Sequence, residues 1–258
     1  MVDLQSVAPG VYRQDVFPPP PPAFLTGVPV FLGYAGGGPH EPDEPQVVTL
    51  WPQFAERFPP PEGGGYLGAA VRGFFENEGL LCRVLPLQDT GSPLRDLQRG
   101  LDALRRVDDV DLVCAPDVMR TAGATVDPDL DAVVALQRAV LDHCAARGDR
   151  FAVLDGVPQG VERQRAELAG DLGALYHPWV WTPADPTTPG APPVCVPPSG
   201  HVAGAYSRSD RAVGVHRAPA NEELDGVLDL RVDLDDRDVD DLYDQGVNCL
   251  RAFPGRGV

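Results

Sequence analysis

The chain of 258 residues contains no lysine, since all 21 of its basic residues are arginine. That absence excludes a phosphate-binding loop lysine, a pyridoxal Schiff base and any mechanism with a lysine nucleophile. Cationic charge is also scarce overall, with 38 Asp and Glu giving a net charge of −17. Affinity for nucleic acid comes mostly from neutralising phosphates with cations, so a nucleic-acid surface is not expected. The five cysteines, Cys82, Cys114, Cys144, Cys195 and Cys249, form no CxxC pair. Neither a disulfide framework nor a zinc knuckle follows from them, and they read as small buried apolar residues. The opening MVDLQSVAPG lacks the basic and apolar regions of a signal peptide, and no run approaches the roughly 18 apolar residues of a membrane span. Cytoplasmic assembly without membrane insertion is the expectation.

Proline and glycine are abundant, at 29 and 28 residues, so long irregular connections are expected. Residues 1–24 show no helical or strand period and include the run Pro18 to Pro22, which favours extended polyproline II geometry. They read as an arm. From Thr26 the pattern changes to apolar strands alternating with amphipathic helices. Strands are expected at Thr26–Ala35, Val47–Leu50, Leu80–Leu87, Val110–Ala115 and Phe151–Leu154. Helices are expected over Tyr66–Glu78, after Ser92-Pro93, from Asp127-Pro128 to about Ala146, and over Gln159–Gly170. This order indicates an α/β layer, a largely parallel sheet with flanking helices. Further on, Ala174–Trp181 reads as one aromatic strand, Thr182–Pro198 as a proline-rich surface loop, Gly226–Leu234 as a half-exposed strand, Asp235–Gln245 as an acidic helix and Val247–Phe253 as a last strand.

The candidate chemistry is sparse. The glycines of GYAGGG (Gly33 to Gly38) lack the spacing and the following helix of a dinucleotide loop. Asp155 ends a strand, where α/β enzymes place catalytic acids, and Ser199 with His201 nearby could be recruited as a nucleophile, although no GxSxG elbow frames it. Ser199 reads more simply as the cap of a helix through Val202 to Ser207. His40, His143, His177, His201 and His216 show no metal-ligand spacing, and the acidic run Asp233 to Asp244 lacks the central Gly and terminal Glu of a calcium loop. No catalytic, cofactor-binding or metal residue is assigned, and no cofactor is expected.

Taken in order, a set of segments resembles one known family. PGVYRQD (Pro9 to Asp15), GVPVFLGYA (Gly27 to Ala35), WPQF around Phe54, YLGAAVRGFFENEG (Tyr66 to Gly79) and CRVLPL (Cys82 to Leu87) are similar to the first half of contractile tail sheath proteins. DRFAVLD (Asp149 to Asp155), ALYHPWV (Ala174 to Val180), VPPSGHVAGAYSRSD (Val196 to Asp210), GVHRAPANEEL (Gly214 to Leu224) and GVNCLRAFPGRG (Gly246 to Gly257) follow the same family's pattern. The resemblance implies a structural, non-enzymatic subunit of a contractile phage tail or phage-tail-like injection system. Such subunits polymerise as rings around an inner tube and shorten on triggering from the baseplate.

By the same resemblance residues 1–24 are an arm that adds a strand to a neighbour, with Val11, Tyr12, Arg13 and Val16 as subunit contacts. Residues 25–258 form the sheath-like domain, with an inserted subdomain expected at about 36–87. Family sheaths continue past the position of Gly257 into a further domain and a C-terminal arm, which this chain is expected to lack. Expected partners are other sheath subunits, including a full-length sheath, the inner tube protein and the baseplate, within a virion or tail-like particle. Two alternatives stay open: a sheath-like adaptor or end component that forms no full sheath, and an α/β hydrolase-type enzyme built on Asp155 or Ser199.

Overall fold

Strands whose successive side chains are all apolar must be covered on both faces, and the strands of this chain are of that kind. The computed structural model describes residues 25–37, 40–120, 127–184, 190–253 and 257–258. The arm, with Val11, Tyr12, Arg13 and Val16, lies outside the described residues. The elements run β1 (Pro29–Gly33), β2 (Gln46–Val48), α1 (Trp51–Arg57), α2 (Leu67–Glu76), β3 (Cys82–Pro86), α3 (Pro93–Ala103), β4 (Leu112–Cys114), α4 (Leu130–Arg147), β5 (Phe151–Asp155) and α5 (Val161–Glu167). They continue with β6 (Gly173–His177), β7 (Val180–Thr182), β8 (Val194–Val196), α6 (Ser199–Ala212), β9 (Asp229–Leu230), α7 (Asp236–Asp244) and β10 (Val247–Cys249).

Seven strands form one sheet in the order β10-β6-β5-β4-β1-β3-β2, parallel except for β2, which runs antiparallel to β3 at one edge. A second sheet, β8-β7-β9, is antiparallel. The α/β layer expected from the sequence is thus the architecture found. Period-two alternation sends Val30, Leu32, Leu85, Val113, Ala152 and Leu154 to one face, where α3 and α4 cover them with Leu97, Leu101, Val133 and Val140. Phe31, Val84, Cys114, Val153 and Tyr176 point to the other face, under α1, α2 and α6.

Local chemistry sets most helix ends. Pro93 opens α3, where the missing N–H costs nothing. Asp129 accepts from the N–H groups of Asp131 (3.0 Å) and Ala132 (3.3 Å), and Gly148 closes α4 in the left-handed region. The cap is therefore Asp129, two residues past the expected Asp127. A reciprocal capping box between Asp235 and Asp238 starts α7 as expected.

Elsewhere the structure departs from expectation. The aromatic stretch Ala174–Trp181 is two strands, because β6 ends at His177 and β7 joins the second sheet. The expected loop Thr182–Pro198 contains β8, whose three residues sit between prolines that cannot continue a strand. Only Asp229–Leu230 of the expected Gly226–Leu234 strand is paired, and the last strand stops at Cys249. Helix α1 was not anticipated; it is a single short element with Pro52 in its first turn.

The tightest contact is between α2 and α6. A Cβ on Gly200 would stand 2.1 Å from the Ala70 carbonyl oxygen, one on Gly204 2.8 Å from that of Phe74, and one on Gly73 2.5 Å from the His201 ring. Only hydrogen fits at these positions. Gly200→Ala is expected to destabilise the chain by about 3 kcal/mol in urea unfolding, since neither backbone can yield locally. Gly68→Ala in α2, where an added Cβ meets only Phe54 Cε1 at 3.8 Å, is expected to be neutral or to stabilise by about 0.5–1 kcal/mol.

Candidate functional site

In an open parallel sheet the place to look for chemistry is the crevice beyond the carboxyl ends of the strands where the strand order reverses. Here the chain moves from β1 to β3 on one side and then to β4 on the other, so the crevice lies between β1 and β4. It is occupied by the protein's own groups. Asp117, buried in the turn after β4, accepts from the N–H of Tyr34 (2.7 Å) just past β1 and from the N–H of Tyr66 (2.5 Å) at the start of α2. Added Cβ atoms at Gly33 and Gly65 would lie 2.7 Å and 3.1 Å from that carboxylate, so both glycines are needed for its close approach. Arg120 lies over the Tyr34 ring at 4.9 Å and donates to Asp89 (3.2 Å) and to the Glu62 carbonyl (2.7 Å). Burial pushes the Asp117 carboxyl up, against its backbone hydrogen bonds.

The two residues weighed as catalytic, Asp155 and Ser199, are brought together from 44 positions apart. Asp155 Oδ1 accepts the Ser199 N–H at 2.7 Å, a carboxylate satisfying the free N–H at a helix start. Ser199 is thus the first residue of α6 rather than its capping side chain, and α6 is longer than expected. Burial pushes the Asp155 carboxyl up to about 7, opposed by hydrogen bonding from Ser199. The backbone carbonyl of Asp155 accepts from Gln137 (2.8 Å) and Gln164 (3.0 Å), Gln164 donates to Gln137 (2.7 Å), and the Trp179 indole donates to the Gly156 carbonyl (2.7 Å). His201, 1% exposed, is held low, at about 4, chiefly by burial. Asp155 and Ser199 are 2% and 0% exposed. The Asp155 carboxyl and the Ser199 side chain are thus packed inside the protein.

A groove of about 440 Å³ lies elsewhere, between α1, the start of α2 and the β7-β8 hairpin. Its floor is an aromatic ladder, Trp51 on Phe54 and Phe54 on Phe58, each with ring centroids 5.2 Å apart. Arg72, paired with Glu76 at 2.8 Å, reaches the carbonyls of Pro183 (3.3 Å) and Ala184 (3.2 Å) at the rim. Neither Asp155 nor Ser199 lines it. A smaller, acidic notch of about 350 Å³ is lined by Glu162, Asp238, Asp241 and His177. The sequence reading missed the groove because its walls come from three separate segments. The only local signal was WPQF, aromatic residues at helical spacing behind a first-turn proline.

The profile of the phage tail sheath protein central domain matches residues 95–258, more than half of the chain. The chain belongs to the phage tail sheath family. Solved structures agree along nearly its whole length. A chain of the anti-feeding prophage baseplate, six-fold symmetrised, superposes with a TM-score of 0.71 at 26% identity, covering 98% of this chain and 66% of that one. The anti-feeding prophage helical sheath in its contracted state gives 0.68 at 26% identity with the same coverage, 98% and 66%. The contracted sheath complex of PVC, an extracellular contractile injection system, gives 0.62 at 21% identity, covering 98% and 64%, and shares the fold. This sheath-family chain therefore spans just under two thirds of the length of those structures. Among curated proteins none matches it. No helix among the described residues is long and apolar enough to cross a membrane.

The buried Asp155 gives a pH test. Between about pH 4 and 7 the folded chain keeps this proton while the unfolded chain has released it. The group's contribution thus favours the fold on the acid side and is lost as pH rises through about 7. Relative to Asp155→Asn, the wild type is expected to lose at most about 4 kcal/mol of stability across that interval, read by urea unfolding; a difference that stays flat contradicts the assignment. Asp155→Leu, which strands the Ser199 N–H, is expected to cost about 1–3 kcal/mol throughout.

Proposed function

We propose that this chain is a structural subunit of a contractile tail or tail-like injection particle. In this reading it polymerises with other sheath subunits around an inner tube and is triggered through the baseplate. The observation that carries the proposal is the match over 98% of the chain to anti-feeding prophage assemblies at 26% identity. Residues 1–24 act as the connecting arm, adding a strand to a neighbour through Val11, Tyr12, Arg13 and Val16. An interaction of that head-to-tail kind propagates into rings and helices rather than closing as a dimer.

The root of the arm suits this role. Asp111 accepts the N–H of Gly27 at 2.7 Å and of Val28 at 2.6 Å, and an added Cβ at Gly27, in the left-handed region, would stand 2.6 Å from the Ser207 Cα. A pull on the arm is thus passed to β4 and α6, not dissipated in a loose hinge. Acceptor edges exist at both ends of the large sheet, where β2 and β10 each pair on one side only among the described residues. We read the protein as non-enzymatic, with Asp155 and Ser199 serving α6, and as assembled in the cytoplasm. A net charge of −17 disfavours nucleic-acid binding, which draws on neutralising phosphates with cations.

Negative-stain electron microscopy and sedimentation of the full chain, alone and mixed with sheath and tube proteins from the same source, test the proposal. Rings or tubes are expected, and they are expected to vanish when residues 1–24 are deleted. A chain that stays monomeric in every mixture would overturn it.

A further inference from the structure

The acidic notch between α5 and α7 carries charge that the fold does not neutralise. Its rim is Glu162 at the start of α5 with Asp238, Asp241 and Gln245 of α7, all four exposed. Steps of three and four residues set the last three on one helical face. Its floor is apolar, with Val161 and Leu242 buried. Asp238 uses one oxygen on the Asp235 N–H (3.2 Å), and Gln245 donates to the Asp241 carbonyl (3.0 Å), so its amide oxygen stays an acceptor. Among the described residues no arginine lines the notch. Arg163, next to Glu162, is held by Asp131 (2.7 Å) and Glu167 (3.0 Å), and Arg251 by Asp236 (2.7 Å). A separate feature points to the same class of ligand. His177, 5% exposed, also lines the notch, and its Nδ1 has no hydrogen-bond partner among the described residues. Burial, opposed by Glu162, pushes its pKa down, so the ring is neutral at pH 7 and can accept a hydrogen bond. Three carboxylates, an amide oxygen and a neutral imidazole around an apolar floor fit a cation carried on an apolar stem, as in arginine.

The arm carries one such side chain, since Arg13 is the only basic residue in residues 1–24. We propose that the notch receives Arg13 of a second copy of this chain. The proposal rests on the arm-mediated assembly above and deepens it by naming where the arm's cation is held. The location agrees with strand addition. His177 ends β6 in register with Cys249 of β10, so the notch stands beside one of the two sheet edges open to an added strand. A second copy is favoured over the chain's own arm by direction. The arm's root leads into the amino end of β1, whereas the notch lies at the carboxyl end of β6, at the opposite end of the parallel sheet.

Fluorescence anisotropy with a labelled peptide of residues 7–16 tests this, titrated with the full-length chain below the concentration at which it polymerises. Saturable binding is expected, weakened about threefold or more by Arg13→Gln in the peptide. A similar loss is expected for a chain carrying Glu162→Gln with Asp241→Asn, exposed positions where the replacements keep the side-chain shape. The two losses are expected not to multiply, because they remove the same contact. No binding, binding indifferent to Arg13 or to the two carboxylates, or losses that multiply would each overturn the proposal. A full-length chain carrying Arg13→Gln is expected to bind the unaltered peptide no more tightly than wild type does at the same dilution. Tighter binding by that variant would place the arm in its own notch and overturn the second-copy assignment. Failure of peptide binding while polymers still form removes this inference and leaves the arm reading intact; the absence of polymers in every mixture removes the arm reading itself.

Discussion

The close approach of α2 and α6 is the constraint on which the rest of this face depends. Gly200 and Gly204 of α6 lie against the backbone of α2, and Gly73 of α2 lies under the His201 ring. With that spacing the two helices cover Phe31, Val84 and Val153 as one layer, at a separation that a single methyl group would spoil. Both ends of the pair carry further contacts. Asn77, at the end of α2, exchanges hydrogen bonds of 2.9 Å with the backbone of Asp225. Arg211, near the end of α6, returns to the Glu78 carbonyl at 2.8 Å. The groove exists because α1 and the β7-β8 hairpin both pack against the start of α2.

Three aspartates, Asp117 and Asp155 buried and Asp111 partly so, then fix the segments that the helices alone cannot. Asp117 ties β1 to the start of α2, Asp155 ties β5 to the start of α6, and Asp111 ties the arm's root to β4. Each carboxylate accepts backbone N–H groups that would otherwise be buried unpaired. An α/β enzyme leaves the carboxyl ends of its strands open for a ligand; this chain closes them with its own carboxylates and tyrosines. The layer architecture by itself does not decide function.

Much of this was legible in the sequence where local pattern and tertiary role agree. β1, β3, β4 and β5 are apolar runs, and α3 and α4 repeat Leu and Val at helical spacing behind proline or aspartate signals. What escaped was decided by contacts distant in sequence. The Asp155–Ser199 bond spans 44 positions, and nothing near either residue announces it. β8 is three residues flanked by prolines, recognisable as a strand only once β7 lies beside it. α1 is seven residues long, too short to show a period. The ordered family motifs supplied what periodicity could not, because they carry the whole arrangement at once.

In a polymer joined through the arm, each subunit's clamped root at Gly27 and Val28 would make the linkage stiff at one end, while the domains keep the freedom to rotate against each other. That combination lets a lattice change shape without losing its connections. The most direct measurement is a cryo-electron microscopy reconstruction of the polymer containing this chain. The account predicts density for residues 1–24 leaving one copy beside Asp111 and crossing onto the domain of its neighbour. Density that returns these residues to their own domain, with no segment crossing between copies, would contradict it.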